Sequence, residues 1–236
     1  MKSAIITGAS KGIGKAISLH FAKRGYSLLL IARTTSLLKS LQEEIKLINP
    51  DLHVQVKCCD VADTKSIREV IKEFHAKVRS ISLLINNAGY VKRGTSDLKE
   101  DELEQMLNTN LIGAVNMVRE VVPIMKEQSC GYIINMSSRN AKTPRAFLGG
   151  YAAAKAALLA YSESLYKELG GTNIKVTAIC PGFVDTEMTS EVNEDRNLLI
   201  PTQDIGVAID FLLNLSSSCV IKELCFESVV QIGKYC

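Results

Sequence analysis

Short runs rich in β-branched residues and leucine recur along this chain, and a longer stretch of helical period separates each run from the next. Strands are expected at Ser3–Thr7, Ser27–Arg33, His53–Cys59, Leu83–Asn86, Tyr132–Ser137, Lys175–Cys180 and Leu224–Ile232. Helical spacing covers Ile13–Arg24, Ser36–Ile48, Thr64–Val78, Leu98–Lys126, Tyr151–Leu169 and Thr202–Leu215, with Gly25, Pro50 and Gly170-Gly171 as stop signals. Parallel neighbours in a sheet need a long crossover, and a helix supplies it. The alternation therefore predicts an α/β protein with a doubly wound, mainly parallel sheet of about seven strands and helices on both faces. Residues 1–236 read as a single domain, since no linker, repeat or composition shift divides them.

Composition narrows the function classes. A formal net charge of +3 is too small to point to nucleic acid, and no window combines a basic run with interleaved aromatics, so no nucleic-acid partner is expected. The seven cysteines are odd in number and lack metal-ligand spacing, so they read as reduced thiols, with no metal. His20, His53 and His75 do not cluster with carboxylates or cysteines either. The start, MKSAIITGAS, enters a strand at once. No apolar run approaches the ~18 residues of a spanning helix, so the expected location is cytoplasmic, without a membrane anchor.

The first expected strand leads into Thr7-Gly8-Ala9-Ser10-Lys11-Gly12-Ile13-Gly14, and a helix follows. Glycines between a strand and a helix let backbone N–H groups approach a pyrophosphate, whose charge the helix N-terminus favours. The spacing is G-x-x-x-G-x-G rather than the commoner G-x-G-x-x-G, in the strand–loop–helix context of a Rossmann fold. An acid that binds the adenosine ribose hydroxyls belongs near the end of the second strand, ~20 residues past the glycines. This chain instead has Ile31-Ala32-Arg33 there, and Lys11 adds a cation in the loop. A guanidinium pairs with a ribose 2′-phosphate where a carboxylate would repel it, so the expected cofactor is NADP(H).

Ser138 precedes Tyr151 by thirteen residues, and Tyr151-Ala-Ala-Ala-Lys155 opens an alanine-rich helix. At a spacing of four the phenol and the ammonium share one helix face. A cation beside the phenol is expected to lower its pKa from ~10 toward the working pH, as general acid–base work requires. Ser138, at the end of the fifth strand, could donate to a carbonyl oxygen as charge builds there.

With Asn86-Asn87-Ala88-Gly89 after the fourth strand and Pro181-Gly182-Phe183-Val184-Asp185-Thr186 after the sixth, the chain resembles the short-chain dehydrogenase/reductase family over residues 3 to 215. The resemblance implies transfer of hydride between a nicotinamide and a small-molecule carbonyl or secondary alcohol. It makes Tyr151 the proton donor in reduction and Ser138 the carbonyl-polarising partner. Lys155 would bind the nicotinamide ribose and tune Tyr151. Asn110, in Asn-Leu-x-Gly, would hold a water in a proton relay. Asp60 and Val61 resemble the adenine-binding pair, and Asn87, Ala88 and Gly89 the turn beside the adenosine ribose. Pro181, Gly182, Val184 and Thr186 resemble the segment that fixes the nicotinamide. Gly8, Ser10, Gly12, Ile13 and Gly14 complete the cofactor set with Lys11 and Arg33.

The chain departs from the family at its end, which lacks the Asp-Gly-Gly segment that follows the last strand in many members. A homodimer through the helices starting near Leu98 and Tyr151, or a homotetramer, is the expected assembly. Lys92, Arg93, Arg139, Lys142 and Arg145 would favour an anionic substrate if they converged at the pocket mouth. A carbonyl reductase of broad or small-substrate specificity is the leading expectation. A 3-oxoacyl-[acyl-carrier-protein] reductase is the near alternative, and a non-catalytic NADPH-sensing module is a distant one, because fold alone does not dictate function.

Overall fold

The apolar runs pair along their backbones into one sheet. In the computed structural model, which describes residues 2–232, the strands are β1 (Ser3–Thr7), β2 (Ser27–Ala32), β3 (Val54–Cys58), β4 (Leu83–Asn86), β5 (Gly131–Met136), β6 (Ile174–Pro181) and β7 (Glu223–Phe226). They lie in the order β3-β2-β1-β4-β5-β6-β7, and every pairing is parallel. The crossovers are α1 (Gly12–Lys23), α2 (Thr35–Ile48), α3 (Thr64–Val78), α4 (Glu100–Leu107), α5 (Gly113–Glu127), α6 (Gly149–Glu168) and α7 (Thr202–Asn214). This is the doubly wound Rossmann arrangement that the alternation predicts.

Strand side chains alternate between two cores, as a period of two requires. Ala4, Ile6, Leu28 and Leu30 pack with Ile17 and Phe21 of α1, Leu38 and Leu41 of α2, and Ile205 and Ile209 of α7. Ile5, Leu29, Ile31 and Leu84 pack on the other face with Val70 and Phe74 of α3, Met117 and Val121 of α5, and Leu165 of α6. Each wholly buried Leu, Ile or Phe contributes about 1.5–3 kcal/mol relative to exposure, so both helical layers are held mainly by this burial. The chain leaves β1 toward β2 and β3 on one side and continues from β4 to β7 on the other. Strand order thus reverses between β1 and β4, which opens a crevice at their carboxyl ends.

Element ends shift by a residue or two from the sequence expectation, and three of the differences bear on the site. β2 stops at Ala32, leaving Arg33 exposed just beyond the sheet. The single helix expected over Leu98–Lys126 is α4 and α5 joined by a π-helical turn at Asn108–Ile112. It starts at Glu100, where the Lys99 N–H donates to Glu102 Oε2 (3.3 Å) and three acids favour the positive end of the helix dipole. β7 is shorter than Leu224–Ile232, because a 3-10 turn at Val229–Gln231 buries Gln231 instead of pairing it. Met1 and the expected terminal run from 233 to 236, with Lys234 and Cys236, lie outside the described residues. Among the described residues no helix is long and apolar enough to cross a membrane.

Candidate active site

The glycine loop is pressed against the turn that follows β4. Gly8 and Gly12 adopt φ of +64° and +52°, a region that favours glycine. A Cβ on Gly14 would lie 2.1 Å from the Gly8 carbonyl oxygen, and one on Gly8 would lie 2.8 Å from Ala88 Cα. Thr7 and Asn87 hold the two segments together. Thr7 Oγ1 accepts from the N–H groups of Asn87 and Ala88 (both 3.0 Å), while Asn87 Nδ2 donates to the carbonyls of Thr7 (3.1 Å) and Gly8 (3.3 Å).

This junction forms one end of a cavity of about 330 Å³. Gly8, Ser10, Lys11, Gly12 and Ile13 line it from the glycine loop, Arg33 from the end of β2, and Asp60 and Val61 from beyond β3. Asn87, Ala88 and Gly89 follow from β4, Ser138 from β5, Tyr151 and Lys155 from α6, and Pro181, Gly182, Val184 and Thr186 from β6. Expected residues from seven separate segments of the chain therefore share one space. Gly14 and Asn110 lie outside its lining. Thr34, Cys59 and Thr109, which sequence reading did not single out, line it too, as do Ser137 and the lid turn Glu187–Thr189. That turn belongs to the stretch from Gly182 to Ile200, whose length as a connection in a compact domain is itself a sequence signal of a functional loop.

Asn110 sits in the π-helical turn, a distortion that often marks functional positions. Its carboxamide is spent on backbone: Nδ2 donates to the carbonyls of Tyr90 (2.7 Å) and Met106 (2.8 Å), and Oδ1 accepts from the Tyr90 N–H (3.2 Å). Gly89 leaves room beside it, since a Cβ there would be 3.2 Å from Asn110 Oδ1 and 3.6 Å from Lys155 Nζ. Gly113 seats the start of α5 equally closely, because a Cβ would come 2.2 Å from Val61 Cγ2.

Tyr151 and Lys155 share a helix face as the spacing requires, and the ammonium lies 5.8 Å from the phenol ring centroid. The expected fall in the Tyr151 pKa does not occur. Burial pushes this phenol up, and its hydrogen bond with Ser138 pulls it down by less. The same enclosure pushes Lys155 down to about 8, and Nζ donates to the Met136 carbonyl (2.8 Å). Burial disfavours the charged form of both groups, and in this pair it outweighs the attraction that a spacing of four suggests. Ser138 is nearly buried, and its Oγ accepts from the Asn140 N–H (3.2 Å).

A second space of about 680 Å³ shares Ser138, Tyr151 and Gly182 with the first and extends under the lid to Lys92, Arg93 and Arg145. The basic mouth expected from sequence is largely neutralised. Lys92 pairs with Glu102 (3.1 Å), Arg93 with Glu191 (3.5 Å), Arg139 with Glu227 and Lys142 with Glu223. The Arg145 guanidinium lies 4.7 Å over the Phe183 ring. The lid charges are used similarly: Glu187 reaches Lys11 (2.6 Å) and Asp185 pairs with Arg196. These acids stand far from their partners in sequence, so the run of cations alone could not reveal them.

Gln231 is a further residue that the sequence reading missed. Its Oε1 accepts from the Phe183 N–H (2.6 Å) and the Ser228 hydroxyl (3.1 Å), and a Cβ on Gly182 would lie 1.9 Å from it. The C-terminal turn thus sets the backbone of the cavity wall that Pro181 and Gly182 supply.

A seven-stranded parallel sheet with a glycine loop, a Tyr-x-x-x-Lys helix and a buried Ser meeting at its strand-order reversal defines a nucleotide-dependent oxidoreductase architecture. The family model for short chain dehydrogenase matches residues 2–197. An uncharacterized oxidoreductase of Staphylococcus epidermidis is 30% identical over 229 residues, which cover 97% of each chain. Among solved structures, a β-ketoacyl-[ACP] reductase from Bacteroides thetaiotaomicron is 35% identical, with a TM-score of 0.85 and 98% of each chain covered. The closed form of a serine dehydrogenase complexed with NADP+ is 28% identical, with a TM-score of 0.87 over 96% of this chain and 94% of that one. The chain belongs to the short-chain dehydrogenase/reductase family of oxidoreductases.

Proposed function

We propose that this protein is an NADPH-dependent reductase of small-molecule ketones or aldehydes, working also in the alcohol-oxidising direction. The observation that carries this reading is the single cavity lined jointly by the glycine loop, Arg33, Ser138, Tyr151 and Lys155. The lining fits a dinucleotide. Its glycine cradle has no room for a Cβ at Gly8 or Gly14, as close approach of backbone to a pyrophosphate requires. Gly14→Ala should force the Gly8 carbonyl outward and weaken NADPH binding by roughly tenfold or more, read by fluorescence titration. The similar serine dehydrogenase was solved with NADP+, which supports the same choice of nucleotide.

Bound nicotinamide would supply or accept the hydride. Gly8, Ser10, Gly12 and Ile13 would hold the pyrophosphate, Arg33 and Lys11 the 2′-phosphate, and Asp60 and Val61 the adenine. Asn87, Ala88 and Gly89 would flank the adenosine ribose. Pro181, Gly182, Val184 and Thr186 would fix the nicotinamide ring, and Lys155 its ribose. Tyr151, whose enclosure keeps the phenol protonated at neutral pH, donates a proton to the carbonyl oxygen. Ser138 donates a hydrogen bond to the same oxygen as charge develops on it. Asn110 positions the backbone of Tyr90 close to Gly89 and Lys155, and it would hold the relay water through which the proton on Tyr151 is replaced.

Arg33 stands at the end of β2 where an acid would select NADH, and it is the residue on which nucleotide choice turns. Arg33→Ala is expected to raise KM for NADPH by about tenfold to a hundredfold, leaving KM for NADH little changed. Equal losses with both nucleotides would remove the 2′-phosphate assignment.

A 3-oxoacyl-[acyl-carrier-protein] reductase is the second reading, favoured by the 35% identity to the Bacteroides enzyme. The pairing of Lys92, Arg93, Arg139 and Lys142 with acids weighs against a strongly anionic substrate. Specificity constants for a 3-oxoacyl thioester and for simple diketones separate the two. For assembly the proposal is a homodimer through α4, α5 and α6, or a tetramer built from it, in the cytoplasm. Leu103 and Ile112 are exposed on that face, and light scattering on the purified protein reads the state.

A further inference from the structure

Behind the cleft wall at Pro181, β6 and β7 bring Cys180 together with Glu223 and Cys225, which lie more than forty residues further along the chain. The parallel register sets Cys180 opposite Cys225, and Glu223 lies two residues from Cys225 on the same strand face. Ile179, Leu224 and Phe226 turn to the core under α1 and α7, so Cys180, Glu223 and Cys225 project to the opposite face. Their thiol and carboxylate ligand atoms all lie within 4.8 Å of one another, the single such group among the described residues. Cys225 Sγ donates to Glu223 Oε1 (3.0 Å), and the Lys142 ammonium pairs with the same carboxylate. A cationic head group therefore already occupies this spot.

We propose that Cys180, Cys225 and Glu223 bind one thiophilic divalent cation, Zn²⁺ or Cd²⁺, displacing the Lys142 ammonium. Two thiolates and one carboxylate form a donor set that such ions accept, with a fourth position left for water. Zinc–sulfur bonds of ~2.3 Å in a tetrahedral site put sulfurs ~3.8 Å apart, so sulfurs that already lie within 4.8 Å need close by no more than about 1 Å. Cys225 can supply that movement, because it is exposed on an edge strand, whereas Cys180 is buried and fixed. Binding releases the thiol protons to solvent and leaves the sulfur oxidation state unchanged. The ion would clamp β7 to β6 one residue before Pro181, which lines the cleft. It would thereby stabilise the strand edge that Gln231 also braces.

The test is a Cd²⁺ titration of the reduced full-length protein, followed by thiolate-to-cadmium charge-transfer absorption and equilibrium dialysis. One Cys225-dependent ion per chain is expected, Zn²⁺ should displace it, and its binding should raise Tm. Cys225→Ser should weaken this binding by about a hundredfold and Glu223→Gln by about tenfold. The paired control Cys58→Ser with Cys59→Ser should leave it unchanged. Undiminished binding in Cys225→Ser overturns the proposal, as does loss in the Cys58 and Cys59 control or absence of saturable binding.

Discussion

Tyr151→Phe is expected to lower carbonyl-reduction kcat by about a thousandfold while NADPH affinity changes by less than about threefold. The substitution keeps the buried ring and removes only the hydroxyl that donates the proton. The loss should therefore fall on the chemical step rather than on binding. Because burial holds this phenol above its ordinary value, the wild-type reduction rate should not fall as pH rises from 6 to ~8 through loss of the donor proton. Single-turnover kinetics with premixed nucleotide checks both statements. If NADPH binding were lost together with turnover, Tyr151 would belong to the nucleotide pocket alone.

Lys155→Met is expected to move activity and stability in opposite directions. Turnover should fall by at least about a hundredfold, since the residue supports Tyr151 and would hold the nicotinamide ribose. Stability measured without added nucleotide should rise. Folding pushes Lys155 down to about 8 from an ordinary 10.5, so below pH 8 the folded protein holds an enclosed cation at a cost of ~3 kcal/mol. Between pH 8 and 10.5 the unfolded chain binds more protons at this site, and its contribution therefore makes the folded state more stable as pH rises. The relief is complete above 10.5 and absent below 8. Methionine removes the cost but strands the Met136 carbonyl that Nζ now satisfies, which returns about 1–2 kcal/mol. A net gain of ~1–2 kcal/mol should raise Tm by a few degrees at pH 7. The part of the pH dependence between 8 and 10.5 that this lysine supplies should vanish in the variant. An unchanged pH profile of stability, followed by calorimetry, would contradict the enclosed cation.

These effects separate what the sequence could reveal from what only three dimensions supply. The fold was legible because alternation, glycine stops and buried β-branched runs act locally and agree with one another. Most of the candidate site was legible for a related reason. Gly8 to Ile13, Asn87 to Gly89, Ser138 and Pro181 to Thr186 stand at strand ends, and a doubly wound sheet gathers its strand ends at one crevice. What stayed hidden depends on enclosure or on distant partners. A spacing of four places Lys155 beside Tyr151 but says nothing of how deeply both are buried, and burial reversed the expected direction for the phenol. The cations that follow Tyr90 and Ser138 read as a basic mouth until Glu102, Glu191, Glu223 and Glu227 arrive from elsewhere. β7 reads as a longer strand because Val229 and Val230 suit one, yet the inward turn of Gln231 satisfies the Phe183 N–H and ends the pairing.

The central claim is that this cleft passes hydride from NADPH to a carbonyl carbon. Incubation of the protein with NADPH deuterated at the transferable position of the nicotinamide and a panel of ketones, aldehydes and diketones tests it most directly, with product alcohols analysed by mass spectrometry. The account predicts one carbon-bound deuterium per alcohol formed, and much less product from equally labelled NADH. Tight NADPH binding with no deuterium in any product, or faster transfer from NADH, would contradict it.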